Sequence, residues 1–141
     1  MGYISFRTAI GDLTLFDEAG EIVSLEWGRV PGRKQTPLLI DVVEVVREYF
    51  VSGRISVNVP LRPKGTEFQL RVWAAVQALP SGQTMTYTDL ARVVESGPRA
   101  VAGACSRNPI PILIPCHRVV GIGTLGGYSG EGGCKTKRTL L

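Results

Sequence analysis

Asn108-Pro109-Ile110-Pro111-Ile112-Leu113-Ile114-Pro115-Cys116-His117-Arg118-Val119-Val120 sets a cysteine beside the only histidine of a 141-residue chain. Three prolines fix φ and stiffen the approach, and the apolar residues between them predict burial. A nucleophile and a base then follow in adjacent positions. A rigid, half-buried thiol next to an imidazole is a site for chemistry, and the elements on either side should exist to hold it.

Working upstream, Pro98 to Arg107 reads as a short helix stopped by Asn108-Pro109, and Thr86 opens another with Tyr87, Leu90, Ala91 and Val94 on one side. The Ser96-Gly97 turn between them makes the pair a helix-turn-helix, whose second helix would face DNA. That second helix carries Ala100, Ala102, Gly103 and Ala104 behind Arg99. Such small residues suit either close packing in a core or approach to a narrow surface, and composition does not separate the two. Before this pair, Thr66-Glu67-Phe68-Gln69 is a capping box, and Phe68, Val72, Trp73, Val76 and Leu79 form one apolar stripe with Trp73 read as core.

Pro60 to Gly65 reads as the boundary between residues 1–60 and 61–141. In the first part, residues 3–8, 12–16 and 21–27 are β-rich runs separated by turn signals, which predicts an antiparallel meander. Thr36 then caps a helix with Pro37 first, Leu39, Val42, Val43, Val46, Tyr49 and Phe50 as its apolar stripe and Ser52-Gly53 at its end. Ile55, Val57 and Val59 alternate as a further strand. The expected fold is thus an α/β amino-terminal domain, antiparallel sheet plus helix, packed on a mainly helical carboxy-terminal domain.

Charge divides at the same boundary. Residues 1–60 hold six basic against eight acidic side chains, and residues 61–141 hold ten against four. The part with the thiol therefore attracts a polyanion, although a solvated basic face would have the same composition. No apolar run is long enough to span a bilayer, and Met1 to Ser5 lacks the basic-then-apolar pattern of a secretory signal, so an intracellular, cytoplasmic protein is expected. Cys105, Cys116 and Cys134 are odd in number and without framework spacing, which predicts free thiols. With Cys116 and His117 adjacent, a zinc geometry from these residues is poor, so no metal and no cofactor are expected.

Pro-Cys-His-Arg-Val, with Asn108-Pro109 before it and Gly127-Tyr128-Ser129-Gly130 after it, closely resembles the O6-alkylguanine-DNA alkyltransferases. The resemblance runs through Gly65-Thr66-Glu67-Phe68-Gln69, Val72-Trp73, Pro80 to Thr84, Thr86-Tyr87 and Arg99-Ala100-Val101, covering essentially residues 65–137. It implies an RNase H-like amino-terminal fold and a winged-helix-like helix-turn-helix. The implied function is irreversible, stoichiometric transfer of the alkyl group from O6-alkylguanine in double-stranded DNA to Cys116, with O4-alkylthymine as a further candidate substrate. His117 would take the thiol proton through a water, because neighbouring side chains on an extended strand point apart. Tyr87 would hydrogen-bond the departing purine.

The resemblance also assigns DNA contacts in the minor groove to Tyr87, Thr88, Arg99, Ala100 and Gly103, with Arg99 filling the gap left by a flipped nucleotide. Val119, Tyr128, Ser129 and Cys105 would line the pocket, Asn108 would brace the cysteine loop, and Arg118 would anchor it by an internal ion pair. A monomer, nucleoid-associated or nuclear according to source, is implied. The turn Glu95 to Pro98 is shorter than the family's usual form. The glutamate that the family places beyond its paired leucines, bonded to the histidine, has no counterpart before Leu141, and either the α-carboxylate of Leu141 stands in for it or the natural chain continues. Two other classes compete with this reading. A Cys-His hydrolase would need an oxyanion hole, and a non-catalytic lesion-binding helix-turn-helix protein would not need Cys116.

Overall fold

Residues 2–27 fold back on themselves twice in the computed structural model, which describes residues 1–55, 58–80, 82–121, 137 and 139–141. The antiparallel meander is β1 (Gly2–Thr8), β2 (Gly11–Glu18) and β3 (Glu21–Trp27), in that order across the sheet. Glu18 pairs with Glu21, so Ala19-Gly20 is a two-residue turn, and both residues take positive φ, 51° and 78°. Two positive φ values match the right-handed twist of a hairpin. Phe6, Leu13, Leu15, Ile22 and Leu25 are buried.

A register shift between Phe16 and Asp17 in β2 accompanies the burial of the Asp17 carboxylate, which accepts from the Gly2 amide (3.1 Å) and from the Thr36 hydroxyl. Thr36 in turn caps α1 (Pro37–Ser52) by accepting from Leu39 N–H at 3.2 Å. Of the expected stripe, Leu39, Val42, Val43, Val46 and Tyr49 are buried and Phe50 is half-buried, and the helix lies against β1 and β2. Gly53 ends it at φ 74°, donating to Tyr49 O at 2.8 Å.

The strand expected over Ile55, Val57 and Val59 is not found: Ile55 and Val59 lie outside any strand, and Val57 is outside the described residues. Pairing with the meander occurs further on. Ile22 N–H donates to Pro60 O and Arg62 N–H donates to Ile22 O, both at 2.8 Å, making a parallel bridge at Leu61. Proline has a carbonyl but no N–H, so Pro60 can begin this bridge only as acceptor.

The carboxy-terminal helices follow the pattern of caps. In α2 (Glu67–Gln77) Thr66 and Gln69 cap each other reciprocally, and the Trp73 indole N–H, 1% exposed, donates to Ala104 O at 2.9 Å. A side chain at Gly65 would sit 2.6 Å from that indole, so this position admits only glycine. After β4 (Met85–Thr86) come α3 (Tyr87–Val93) and α4 (Pro98–Ser106), the expected helix pair, joined by a turn in which Glu95 takes φ 55°.

Two features were not legible in the pattern. Met85-Thr86 pairs in parallel with β5 (Val119–Val120), and Cys116–Arg118 form a 3-10 turn rather than part of an extended strand. Arg118 N–H closes the turn on Pro115 O at 3.0 Å. The meander, α1, α2, α3, α4 and the cysteine loop share one hydrophobic core, and Leu25 N–H donates to Pro109 O at 2.9 Å across it.

Candidate active site

Asn108, one turn beyond Cys105, binds both ends of the loop that carries the thiol. Its amide donates to Ile114 O at 2.8 Å, and its Oδ1 accepts from Ile110 N–H at 2.9 Å. Between them Ile112 sits at φ 73°, a backbone region costly for a β-branched residue, yet it is 1% exposed. Burial and the Asn108 bracket hold that strained turn.

Cys116 then emerges on the 3-10 turn, buried, with its amide donating to Ile114 O at 2.8 Å. The neighbouring Cys105 thiol acts on it more than any other group. That contact and burial push the Cys116 thiol well above the ordinary cysteine range, while Asn108 and Lys137 act in the opposite direction. Cys105 is shifted down, chiefly because it receives the hydrogen bond from Cys116.

His117 is fully buried, and its Nε2 lies 2.8 Å from the Tyr49 hydroxyl. The same hydroxyl donates to Leu140 O at 2.6 Å. Nδ1 is buried and has no hydrogen-bond partner among the described residues. Burial, then the cations of Arg118 and Lys137, take His117 down to about 3, so the imidazole is neutral at pH 7. The partner of this histidine is thus Tyr49 and not the Leu141 carboxylate; Leu141 is half exposed, and its amide donates to Lys137 O at 3.0 Å.

Arg118 holds the loop through carbonyl oxygens, and among the described residues it makes no ion pair. Its guanidinium donates to Gly53 O (3.2 Å) and Pro80 O (3.5 Å) and lies 5.8 Å from the centre of the Tyr49 ring. Both carbonyls belong to helix ends, of α1 and just past α2, where partial negative charge collects and a cation is favoured.

The β4–β5 pair brings Tyr87 to the cysteine turn, since Thr86 opposite Val120 sets the start of α3 beside β5. Buried Lys137 joins them, donating to Val119 O at 2.6 Å and to the Tyr87 hydroxyl at 3.4 Å, with its ammonium 5.6 Å from the Tyr87 ring centre. On the other side of the helix pair, Arg99, Ala100 and Gly103 are exposed and Thr88 is half-buried, and nothing lies within 4 Å of a Cβ built at Gly103. The small residues of α4 on this face therefore do not serve core packing. Tyr128, Ser129 and Cys134 lie outside the described residues.

Sequence reasoning missed Tyr49 and Lys137. Tyr49 was legible only as one apolar position among six on α1, and Lys137 only as one charge in a basic half. Neither carries a local signal for a partner far along the chain.

The arrangement contains a thiol, a neutral imidazole and a phenol, with an exposed helix face that none of the described residues covers. Comparisons with known proteins agree with it. The family described as "6-O-methylguanine DNA methyltransferase, DNA binding domain" matches residues 67–141. The constitutive methylated-DNA–protein-cysteine methyltransferase of Bacillus subtilis is 36% identical over 143 residues, covering 92% of this chain and 87% of that protein. That of Metallosphaera sedula is 35% identical, covering 99% of this chain and 90% of its own. Among solved structures, Mycobacterium tuberculosis OGT in complex with DNA superposes with a TM-score of 0.86 at 36% identity, covering 99% of this chain and 89% of that one. The match to the family over the carboxy-terminal half, and to whole members along nearly the full chain, means that this protein belongs to the methylated-DNA–protein-cysteine methyltransferase family.

Proposed function

We propose that this protein repairs alkylated DNA by moving an alkyl group from guanine O6, with thymine O4 as a further candidate source, onto Cys116. The observation that carries the proposal is a buried Cys116–His117 pair, bracketed by Asn108, in a chain that is similar along nearly its whole length to methyltransferases named for that cysteine. The Cys116 sulfur attacks the alkyl carbon in line with the C–O bond. A C–S bond forms, the C–O bond breaks with its electrons going to the purine, and the thiol proton ends on the released guanine. A thioether has no easy leaving route, so the protein is consumed.

Each neighbour has a part in that step. Neutral His117 accepts the thiol proton, through a water, as the sulfur attacks, and Tyr87 donates to the leaving purine. The Val119 carbonyl keeps one lone pair beyond its bond from Lys137, enough to accept from an exocyclic amine. Cys105, with Tyr128 and Ser129 of the segment outside the described residues, is proposed to line the pocket. Thr88, Ala100 and Gly103 approach the minor groove, where readout is degenerate and repair can ignore sequence, and Arg99 occupies the space of the flipped nucleotide.

The proposal extends to the frame. Residues 1–60 act as an RNase H-like domain and residues 61–141 as a winged-helix-like domain, and the protein works as a monomer in the compartment that holds the DNA, the cytoplasm of a cell without a nucleus. Two features weigh against the other classes. The Cys116 amide, which a thioester hydrolase would aim at an oxyanion, is already bonded to Ile114 O. A lesion-binding protein without chemistry has no use for a thiol held by Asn108 and paired with Cys105.

The test is a count of turnovers. With duplex DNA carrying radiolabelled O6-methylguanine in excess, one methyl group per protein molecule should move to protein and no more. Continued release of label into water, or transfer beyond one equivalent, would contradict the proposal.

A further inference from the structure

We infer that Tyr49, a residue of the amino-terminal helix α1, is the positioning residue of the catalytic base: it selects the His117 tautomer whose bare Nδ1 serves Cys116. The inference rests on the alkyl-transfer reading for its kinetic part, and on hydrogen-bond accounting for the rest. A tyrosine hydroxyl has one proton. Leu140 O, a carbonyl, can only accept, so the 2.6 Å contact takes that proton. The 2.8 Å contact with His117 Nε2 must then be donated by the imidazole. His117 therefore carries its proton on Nε2, and its basic lone pair is on Nδ1, the atom that is buried without a partner among the described residues.

The phenol is itself held in place. Tyr49 is buried on α1, its ring meets the His117 ring edge-on at 5.9 Å and 69°, and the Arg118 guanidinium lies over its face. Arg118 is fixed in turn by Gly53 O at the end of the same helix. Phenol, imidazole and guanidinium thus form one rigid unit joining α1 to the cysteine turn. A carboxylate in this place would stabilise a charged imidazolium, whereas a neutral phenol accepting from N–H does not. The proton that His117 takes from the thiol is consequently held only in passing, which suits a relay to the leaving purine rather than a resting ion pair.

This gives a distinct pH signature. With the imidazole neutral from about pH 4 upward and the thiol protonated through neutrality, transfer by relay draws on species whose populations do not change, so its rate should be flat between about pH 5 and 8. Loss of the relay leaves only the pre-formed thiolate, whose population rises about tenfold per pH unit below the thiol pKa.

The experiment uses the full chain. Its single histidine makes the ¹⁵N spectrum of histidine-labelled protein a direct reading of one ring. In the wild type, Nε2 should appear protonated and Nδ1 bare from pH 5 to 8. Tyr49→Phe, which keeps the ring and removes the acceptor, should bind duplex DNA as before, transfer methyl about tenfold more slowly at neutral pH and show a rate that climbs with pH. The slowing should be the same on free O6-benzylguanine, because the defect lies in proton transfer and not in flipping the base. A bare Nε2 in the wild type would overturn the inference without any variant. So would a folded Tyr49→Phe protein with wild-type rate and pH profile. Failure of the wild type to accept methyl from DNA would instead overturn the alkyl-transfer reading, and the tautomer would still be decided by the spectrum.

Discussion

At the scale of single residues, the site is a problem of where one proton rests. Cys116 is a thiol made less acidic by the sulfur of Cys105 and by burial, beside a histidine made less basic by burial and two cations. Neither group is ionised at neutral pH, so the thiol is protected from incidental electrophiles and becomes nucleophilic only when a base pathway is complete. Because the Cys105 contact is the largest cause of the upward shift, Cys105→Ala should lower the Cys116 pKa. Alkylation of Cys116 by iodoacetamide, followed against pH by mass spectrometry, should then set in at lower pH than in the wild type. An onset that stays where it was, or moves up, would mean that burial alone sets the thiol pKa.

At the scale of elements, the caps and breakers were readable because their causes are local. Thr36, Thr66 and Thr86 each cap the helix that follows, and Gly53 ends α1, as their spacing implied. Of the strand expected at Ile55 to Val59, the described ends Ile55 and Val59 lie outside any strand, and the bridge to the meander is at Leu61, because alternation reports a half-buried chain and not the partner it pairs with. The two-residue β4 and β5 are too short to leave a period at all. For α4 the sequence allowed two readings of its small residues, and exposure decides between them. Glycine within a helix is destabilising by roughly 0.5–1 kcal/mol relative to alanine, and no packing contact at Gly103 demands it. Gly103→Ala should therefore raise stability by about that amount, measured by chemical denaturation. It should also slow repair of O6-methylguanine in duplex DNA while leaving reaction with free O6-benzylguanine unchanged. Equal rates on both substrates would remove α4 from the DNA interface.

At the scale of the whole molecule, the amino-terminal half is more than a support. The Tyr49–His117 and Arg118–Gly53 contacts span 68 and 65 residues of chain, and Leu25 holds Pro109 across the shared core. Contacts of such separation leave no periodic trace, which is why the thiol and its histidine were legible in the sequence and the partner of the histidine was not. The charge division, by contrast, was visible from composition and places the basic excess on the half that carries α4. Everything in this arrangement converges on one sulfur, although a second, that of Cys105, is buried close enough to shift its pKa. Trypsin separates the candidates, since Arg99, Arg107, Arg118 and Lys135 place Cys105, Cys116 and Cys134 in three different peptides. The most direct measurement is peptide mass spectrometry after reaction with O6-methylguanine duplex DNA. A single methyl group on the peptide of residues 108–118, and none on 100–107 or 119–135, is the result expected; methyl on the Cys105 peptide, or on none of the three, would contradict the account.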